Sequence, residues 1–244
     1  MMPDPLARSL VLVTDYRVPD PARVWPLLRR HRDSLAHFGA HRVLVYTSTV
    51  DPGRVLAVMA IHAAQPIVDV LRDEAFMEWF DAVGVSDIPA VFAGELVERI
   101  DLTGSSFASP PASLTEPLGS RGGPSFASPS SSLAEPPGVV VAAVAEVGDT
   151  SALISHVHAT QEHFTAAGIR KILIFQAFDN PREIFMLQEA DDEIGAGQWI
   201  NEPEFASEWI TRAGVGIYPP VFVGRLAHLM RVGEETETAD EPAG

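Results

Sequence analysis

The chain has 244 residues, no Cys, 20 Pro and 18 Gly, and 33 acidic against 17 basic residues give a formal charge of −16. Sixteen of the basic residues are Arg and Lys171 is the only Lys. These counts exclude a thiolate nucleophile, a Cys-zinc site, an iron–sulfur cluster and a Walker A loop.

In chain order, Ser9–Tyr16 is an apolar, β-branched run and predicts a strand. Pro19-Asp-Pro opens a stretch with apolar residues at 24, 28, 35 and 38, which is helical spacing, and Gly39 ends it. Val43–Thr49 and Val55–His62 flank the turn Asp51-Pro-Gly and predict a hairpin. Gln65–Val83 reads as a helix, interrupted near Asp73, and Val91–Ile100 as a last strand. The order β-α-β-β-α-β is the ferredoxin-like plan.

The plan then recurs. Val139–Val147 is a strand, 150–167 a helix, Ile172–Phe178 and Ile184–Ala190 a hairpin around Asp179-Asn-Pro, 196–213 a helix and Val221–Arg231 a strand. The residues recur too. An offset of 130 pairs Glu78 with Glu208, Trp79 with Trp209, Gly84 with Gly214, Phe92 with Phe222 and Gly94 with Gly224. An offset of 129 pairs Gly39 with Gly168 and Pro52 with Pro181. Two homologous halves are expected, 8–102 and 138–232. Between them, 103–137 holds ten Ser, seven Pro and four Gly in 35 residues, so a flexible tether is expected. Its own duplication, Ser106-Phe-Ala-Ser-Pro and Ser125-Phe-Ala-Ser-Pro, carries Phe107 and Phe126. Residues 233–244 read as an acidic, disordered tail.

Val43-Leu-Val-Tyr and Ile172-Leu-Ile-Phe are apolar on both strand faces. Such strands need cover on both sides. Helices cover one face, and the sister half is expected to cover the other.

This order, with the segments Glu74-Ala-Phe-Met-Glu-Trp and Glu202-Pro-Glu-Phe-Ala-Ser-Glu-Trp, each ahead of a Pro-led last strand, resembles the dimeric α+β barrel superfamily over about 190 of the 244 residues. The resemblance implies an α+β fold: two tandem ferredoxin-like repeats packed sheet to sheet as a pseudo-dimeric barrel within one chain. Members include cofactor-independent monooxygenases, haem-handling enzymes, isomerases and proteins without known activity, so the fold alone sets no reaction. The chain also resembles actinobacterial two-repeat proteins that carry a fatty-acyl-CoA ligase label. It has no Ser/Thr/Gly-rich phosphate loop ending in Lys to support that chemistry.

His31 falls in the apolar stripe Val24, Leu28, Leu35, Phe38 and is expected to face the sheet. It reads either as an acid/base group or haem ligand, or as a core His with one hydrogen bond. Trp79 and Trp209 are pocket or core aromatics. In haem-degrading members a helical Trp lines the pocket, but no matching Asn stands near either first strand here. Tyr16, Glu146, Gln176 and Gln188 are polar positions in apolar strands, and either line a ligand pocket or lie at strand ends in water. Glu95 and Arg225 hold equivalent positions in the two last strands, which makes them candidates for a contact between halves. His156, His158 and His163 read as a polar helix face, with no metal expected.

The acidic balance argues against nucleic acid and anionic membrane surfaces. No apolar run reaches the 18 or so residues of a membrane span. No basic-then-apolar leader is visible near residue 1, so the expected compartment is the cytoplasm. The expected partner is a small apolar or aromatic molecule, bound without a cofactor; haem is the alternative. With the barrel completed inside the chain, a monomer is expected, and a dimer of barrels is the alternative.

Overall fold

The computed structural model describes residues 10–62, 74–85, 89–102, 138–201 and 221–233. The tether, the tail, Phe107, Phe126 and Trp209 lie outside them. The first half holds β1 (Leu10–Arg17), a 3-10 turn (Pro21–Arg23), α1 (Val24–Arg30), α2 (Arg32–His37), β2 (Ala40–Ser48), β3 (Arg54–Ile61), α3 (Glu74–Val83) and β4 (Ala90–Asp101). The second holds β5 (Val139–Glu146), α4 (Thr150–Ala159), α5 (Gln161–Ala166), β6 (Ile169–Ala177), β7 (Glu183–Ala190), α6 (Glu193–Asn201) and β8 (Phe222–Arg231).

All eight strands close one antiparallel barrel in the order β1-β3-β2-β8-β5-β7-β6-β4. Each half contributes the ferredoxin-like run 4-1-3-2, and the seams β2–β8 and β4–β6 join the halves edge to edge. The architecture is therefore the pseudo-dimeric α+β barrel. Closure leaves no unpaired sheet edge. Two-residue alternation then sorts the apolar strands. Val11, Val13, Leu44, Leu56, Val58, Phe92, Phe175, Phe185, Leu187 and Phe222 fill the lumen. The alternate residues face helices, forming one core per half: Val24, Leu28, Val43, Val55 and Phe80 in the first, and Leu153, Phe164, Ile172, Ile184 and Trp199 in the second.

Each predicted first helix is broken in two, at His31 and at Thr160. Gly39 and Gly168, with φ of +78° and +76°, then turn the chain straight into β2 and β6. Both strands therefore begin three residues earlier than their apolar runs suggest, each with a bulge at its start.

Among the described residues the lumen contains several polar groups. Near one end, the Arg54 guanidinium donates to both Asp15 carboxylate oxygens (2.9 and 2.6 Å) and to the Val221 carbonyl (2.9 Å), with its carbon 5.4 Å from the Phe222 ring centre. Further along, the Tyr46 hydroxyl is buried without a hydrogen-bond partner among the described residues. Burial pushes its phenol up, and the Glu189 carboxylate adds to the rise. Its counterpart at the offset of 129 is Phe175, also fully buried. Tyr46→Phe is accordingly expected to leave the urea midpoint unchanged or raise stability by up to about 1 kcal/mol, because an unmet hydroxyl is removed and the ring kept.

Glu95 and Arg225 each lie on a seam between the halves, Glu95 opposite Gln176 of β6 and Arg225 opposite Thr47 of β2, but they do not pair with each other. β4 and β8 stand opposite each other in the ring of strands, and alternation turns both side chains outward into solvent. Arg225 pairs with Glu193 at the start of α6. The helix-to-strand contacts over the seams are other residues. Trp25 of α1 stacks on His228 of β8 at 4.5 Å, and His158 of α4 lies 3.6 Å from Glu98 of β4.

Candidate functional site

Between α1–α2, α3 and the outer face of the first half's sheet lies a cavity. Its floor is Leu12, Thr14, Val43 and Ala57, all buried; its rim is His31, Ser34, Phe38, Met59 and Trp79, all half-buried. Leu28 and Leu35 complete the apolar wall. The space open to the centres of water-sized spheres is about 50 Å3. That is room for roughly three to five waters, or for part of a single ring whose far edge rests in the rim.

The break in the first helix is what delivers His31. At φ −94° and ψ 15° the residue leaves helical geometry, while its N–H still donates to the Leu27 carbonyl (3.0 Å). Thr160 sits at the same break in the second half, but its hydroxyl donates back to the His156 carbonyl (2.8 Å) and is spent locally. The break is thus common to both halves, and the imidazole is particular to the first. Its ring stands edge-on to Trp79, with centroids 6.4 Å apart and planes at 84°. Trp79 is carried by α3, whose Phe80 and Val83 are buried in the first-half core.

Tyr16 lies behind Trp79 rather than in the cavity lining. Its ring packs edge-to-face on Phe80 at 5.7 Å. Its oxygen is buried and lacks a well-aligned hydrogen bond among the described residues. Burial pushes the phenol up, and the nearby Trp79 side chain tempers the rise. Tyr16 shares its strand face with Thr14 and Leu12, so period-two reading from Tyr16 leads directly to Thr14, which sequence reasoning passed over. Ser34 and Phe38 were also missed as lining residues, although they share the helical face of His31.

The remaining candidates lie elsewhere. Gln176 points outward and its amide donates to the Pro181 carbonyl (2.7 Å) and the Thr150 hydroxyl (3.2 Å), which ties the hairpin turn to the start of α4. Glu146 is exposed at the end of β5, where Arg182 pairs with it at 2.6 Å. Gln188 is buried beneath the second half's helices. Its amide nitrogen meets the Met186 sulfur at 3.1 Å, and its carbonyl oxygen has no partner among the described residues.

The second half carries larger residues at two of the cavity's lining positions. At the offset of 129, Ala57 becomes Met186 and Leu35 becomes Phe164. Phe164 is fully buried, and the Trp199 ring of α6 packs against it at 4.9 Å. A second, smaller hollow of about 40 Å3 lies within the lumen against Phe92, Phe185 and Phe222. Its one polar lining group, Asp15, is already taken by Arg54.

No cluster of three or more His, Asp or Glu side chains among the described residues suits a metal ion. No helix among them is long and apolar enough to cross a membrane. A porphyrin is many times larger than the first-half cavity, so the described residues do not fit haem.

The chain thus has the dimeric α+β barrel fold, with a helix-to-sheet cavity in its first half. No protein-family model matches the chain, and no curated protein matches it. Among solved structures, it is similar to an anthrone oxidase-like protein, with TM-score 0.59 and 12% identity over 95% of this chain and 96% of that one. It is also similar to a candidate monooxygenase from Lactobacillus acidophilus NCFM, with TM-score 0.48 and 11% identity over 93% and 98% of the two chains. A candidate chlorite dismutase gives TM-score 0.48 and 18% identity over 90% and 94%. At 12% identity the likeness to the anthrone oxidase-like protein establishes a shared fold.

Proposed function

We propose that the chain binds one small, largely apolar aromatic molecule in its first-half cavity, and that the single chain, descended from a duplicated unit, is the working barrel. The observation that carries this is a cavity with apolar walls into which an imidazole and an indole edge project. The cavity is concave, apolar and sparsely polar, as small-molecule sites are. Two of the lining positions, Leu35 and Ala57, carry larger residues in the second half, Phe164 and Met186.

The test is direct. Native mass spectrometry of the purified chain is expected to show a retained molecule, or calorimetry to show one p-cresol bound per chain. Binding at any other stoichiometry, or none in either measurement, would refute the reading.

A second reading is that the molecule is oxidised there by dioxygen. It is favoured by the His31 imidazole, which has no hydrogen-bond partner among the described residues and stands over an apolar floor. That placement suits a base taking a proton from an acidic O–H or C–H of the bound molecule. The fold is shared with an anthrone oxidase-like protein. Under this reading His31→Gln lowers substrate-dependent oxygen uptake by about 100-fold or more, the usual share of a positioned base. Uptake unchanged by that substitution would remove the oxidase reading and leave binding intact.

A further inference from the structure

We infer that Thr14 is the specificity-determining residue of the first-half site, and that the site takes a ring carrying a hydrogen-bonding group at each of two opposite edges. This rests on the binding reading above. Thr14 stands on the floor, on β1, and only 7% of its surface is exposed. Its side chain lines the cavity and has no hydrogen-bond partner among the described residues. Thr14 Oγ1 is not one of the wholly buried polar atoms that lack a partner, so it keeps access to the cavity, where a polar group on an entering molecule can meet it. The counterpart of Thr14 in the second half is Ala143, so the hydroxyl is particular to the half that holds this cavity.

Across the cavity the roof presents His31 and Ser34, three residues apart around the helix break, and neither has a hydrogen-bond partner among the described residues. Between roof and floor the walls are Leu28, Leu35 and Trp79. Polar groups thus stand at two opposed faces with an apolar belt between them. A ring with one polar edge satisfies the roof and leaves Thr14 unmet. A ring with polar groups at opposite edges satisfies both.

The experiment compares p-cresol with hydroquinone, kept reduced by ascorbate, by calorimetry. The two share a ring and a hydroxyl, and differ in a methyl or a second hydroxyl at the opposite edge. The wild-type chain is expected to prefer hydroquinone by roughly tenfold, the effect of one hydrogen bond together with relief of an unmet group. Thr14→Val, which keeps the shape and removes the hydroxyl, is expected to erase or reverse that preference. Thr14→Ser is expected to keep it. Thermal melts of all three chains check that each is folded, and the Ser variant carries the test should the Val variant fail to fold.

A preference that survives Thr14→Val, or one lost equally in Thr14→Ser, overturns the inference while the binding reading stands. Equal affinity of the wild type for both compounds overturns it too. Failure of p-cresol to bind, or binding indifferent to Ala57→Met on the cavity floor, overturns the binding reading instead, and the role of Thr14 with it.

Discussion

Gly224→Ala is expected to destabilise the fold by about 2–4 kcal/mol, a large part of the margin of a typical domain. A Cβ built on Gly224 lies 2.4 Å from the Thr47 carbonyl oxygen and 2.6 Å from the Phe222 ring. Thr47 belongs to β2 in the other half, so the contact is the β2–β8 seam itself. The opposite seam repeats the arrangement: a Cβ on Gly94 lies 2.2 Å from the Gln176 oxygen of β6 and 2.7 Å from the Phe92 ring. In both, the Phe two residues earlier folds over the Gly and covers backbone that has no side chain of its own. An added methyl must displace a strand carbonyl or a core ring, and neither is free to move in a closed barrel. Gly197→Ala is the control. It lies within α6 with open space around its Cβ, so it is expected to gain about 0.5–1 kcal/mol from helix propensity. Urea denaturation of the two variants reads both signs. A Gly224→Ala chain as stable as wild type would mean that the seam is looser than these distances.

The matched pairs Gly94/Gly224 and Phe92/Phe222 made the repeat legible, and the repeat made the barrel legible. Once strands apolar on both faces are placed in two copies of one plan, closure follows, because each copy otherwise leaves an apolar face in water. What was not legible is which strands become opposite. Glu95 and Arg225 look paired in an alignment of the halves, yet equivalent residues of a pseudo-dimer are related by its axis, and here that axis sets them across the barrel. The helix breaks were hidden for another reason. His31 and Thr160 are neither Gly nor Pro, and the apolar stripe continues across both. Of the candidate site, His31 and Trp79 were found from helical spacing and from duplication. Thr14 was not, because a Thr in a β-branched strand looks like ordinary strand propensity. Gln176 and Gln188 were conspicuous as polar interruptions, but one serves a turn and the other lies under a filled core.

Replacing Ala57 by Met, the residue at its second-half counterpart, is expected to abolish p-cresol binding. The chain should still melt at or slightly above the wild-type temperature. Ala57 stands on the cavity floor. Three further heavy atoms at that point take up most of a space that admits roughly three to five waters. Met is flexible enough to fill such a gap without forcing its neighbours off their rotamers. The second half shows that this backbone accommodates the larger residue, since Met186 is 3% exposed within its core. Affinity is expected to fall by at least about tenfold, because a ring that loses its buried face keeps only the contacts of the rim. Filling an apolar cavity adds stability, commonly about 0.5–2 kcal/mol. Loss of binding together with a gain in melting temperature separates removal of the site from damage to the fold. A reduced melting temperature would mean that the floor is already close-packed and that the opening lies elsewhere. Unchanged affinity would move the site to the lumen hollow, whose lining at Ala90, Ala142 and Phe222 Ala57 does not touch. The reverse exchange tests the other half. Met186→Ala with Phe164→Leu is expected to cost about 2–5 kcal/mol, as large-to-small core changes do. The opened space would still lack a hydroxyl on its floor, because Ala143 stands where Thr14 stands in the first half. Such a variant is expected to take up p-cresol without the preference for hydroquinone. Volume would then decide whether a half binds a ring, and the polar groups which ring it binds.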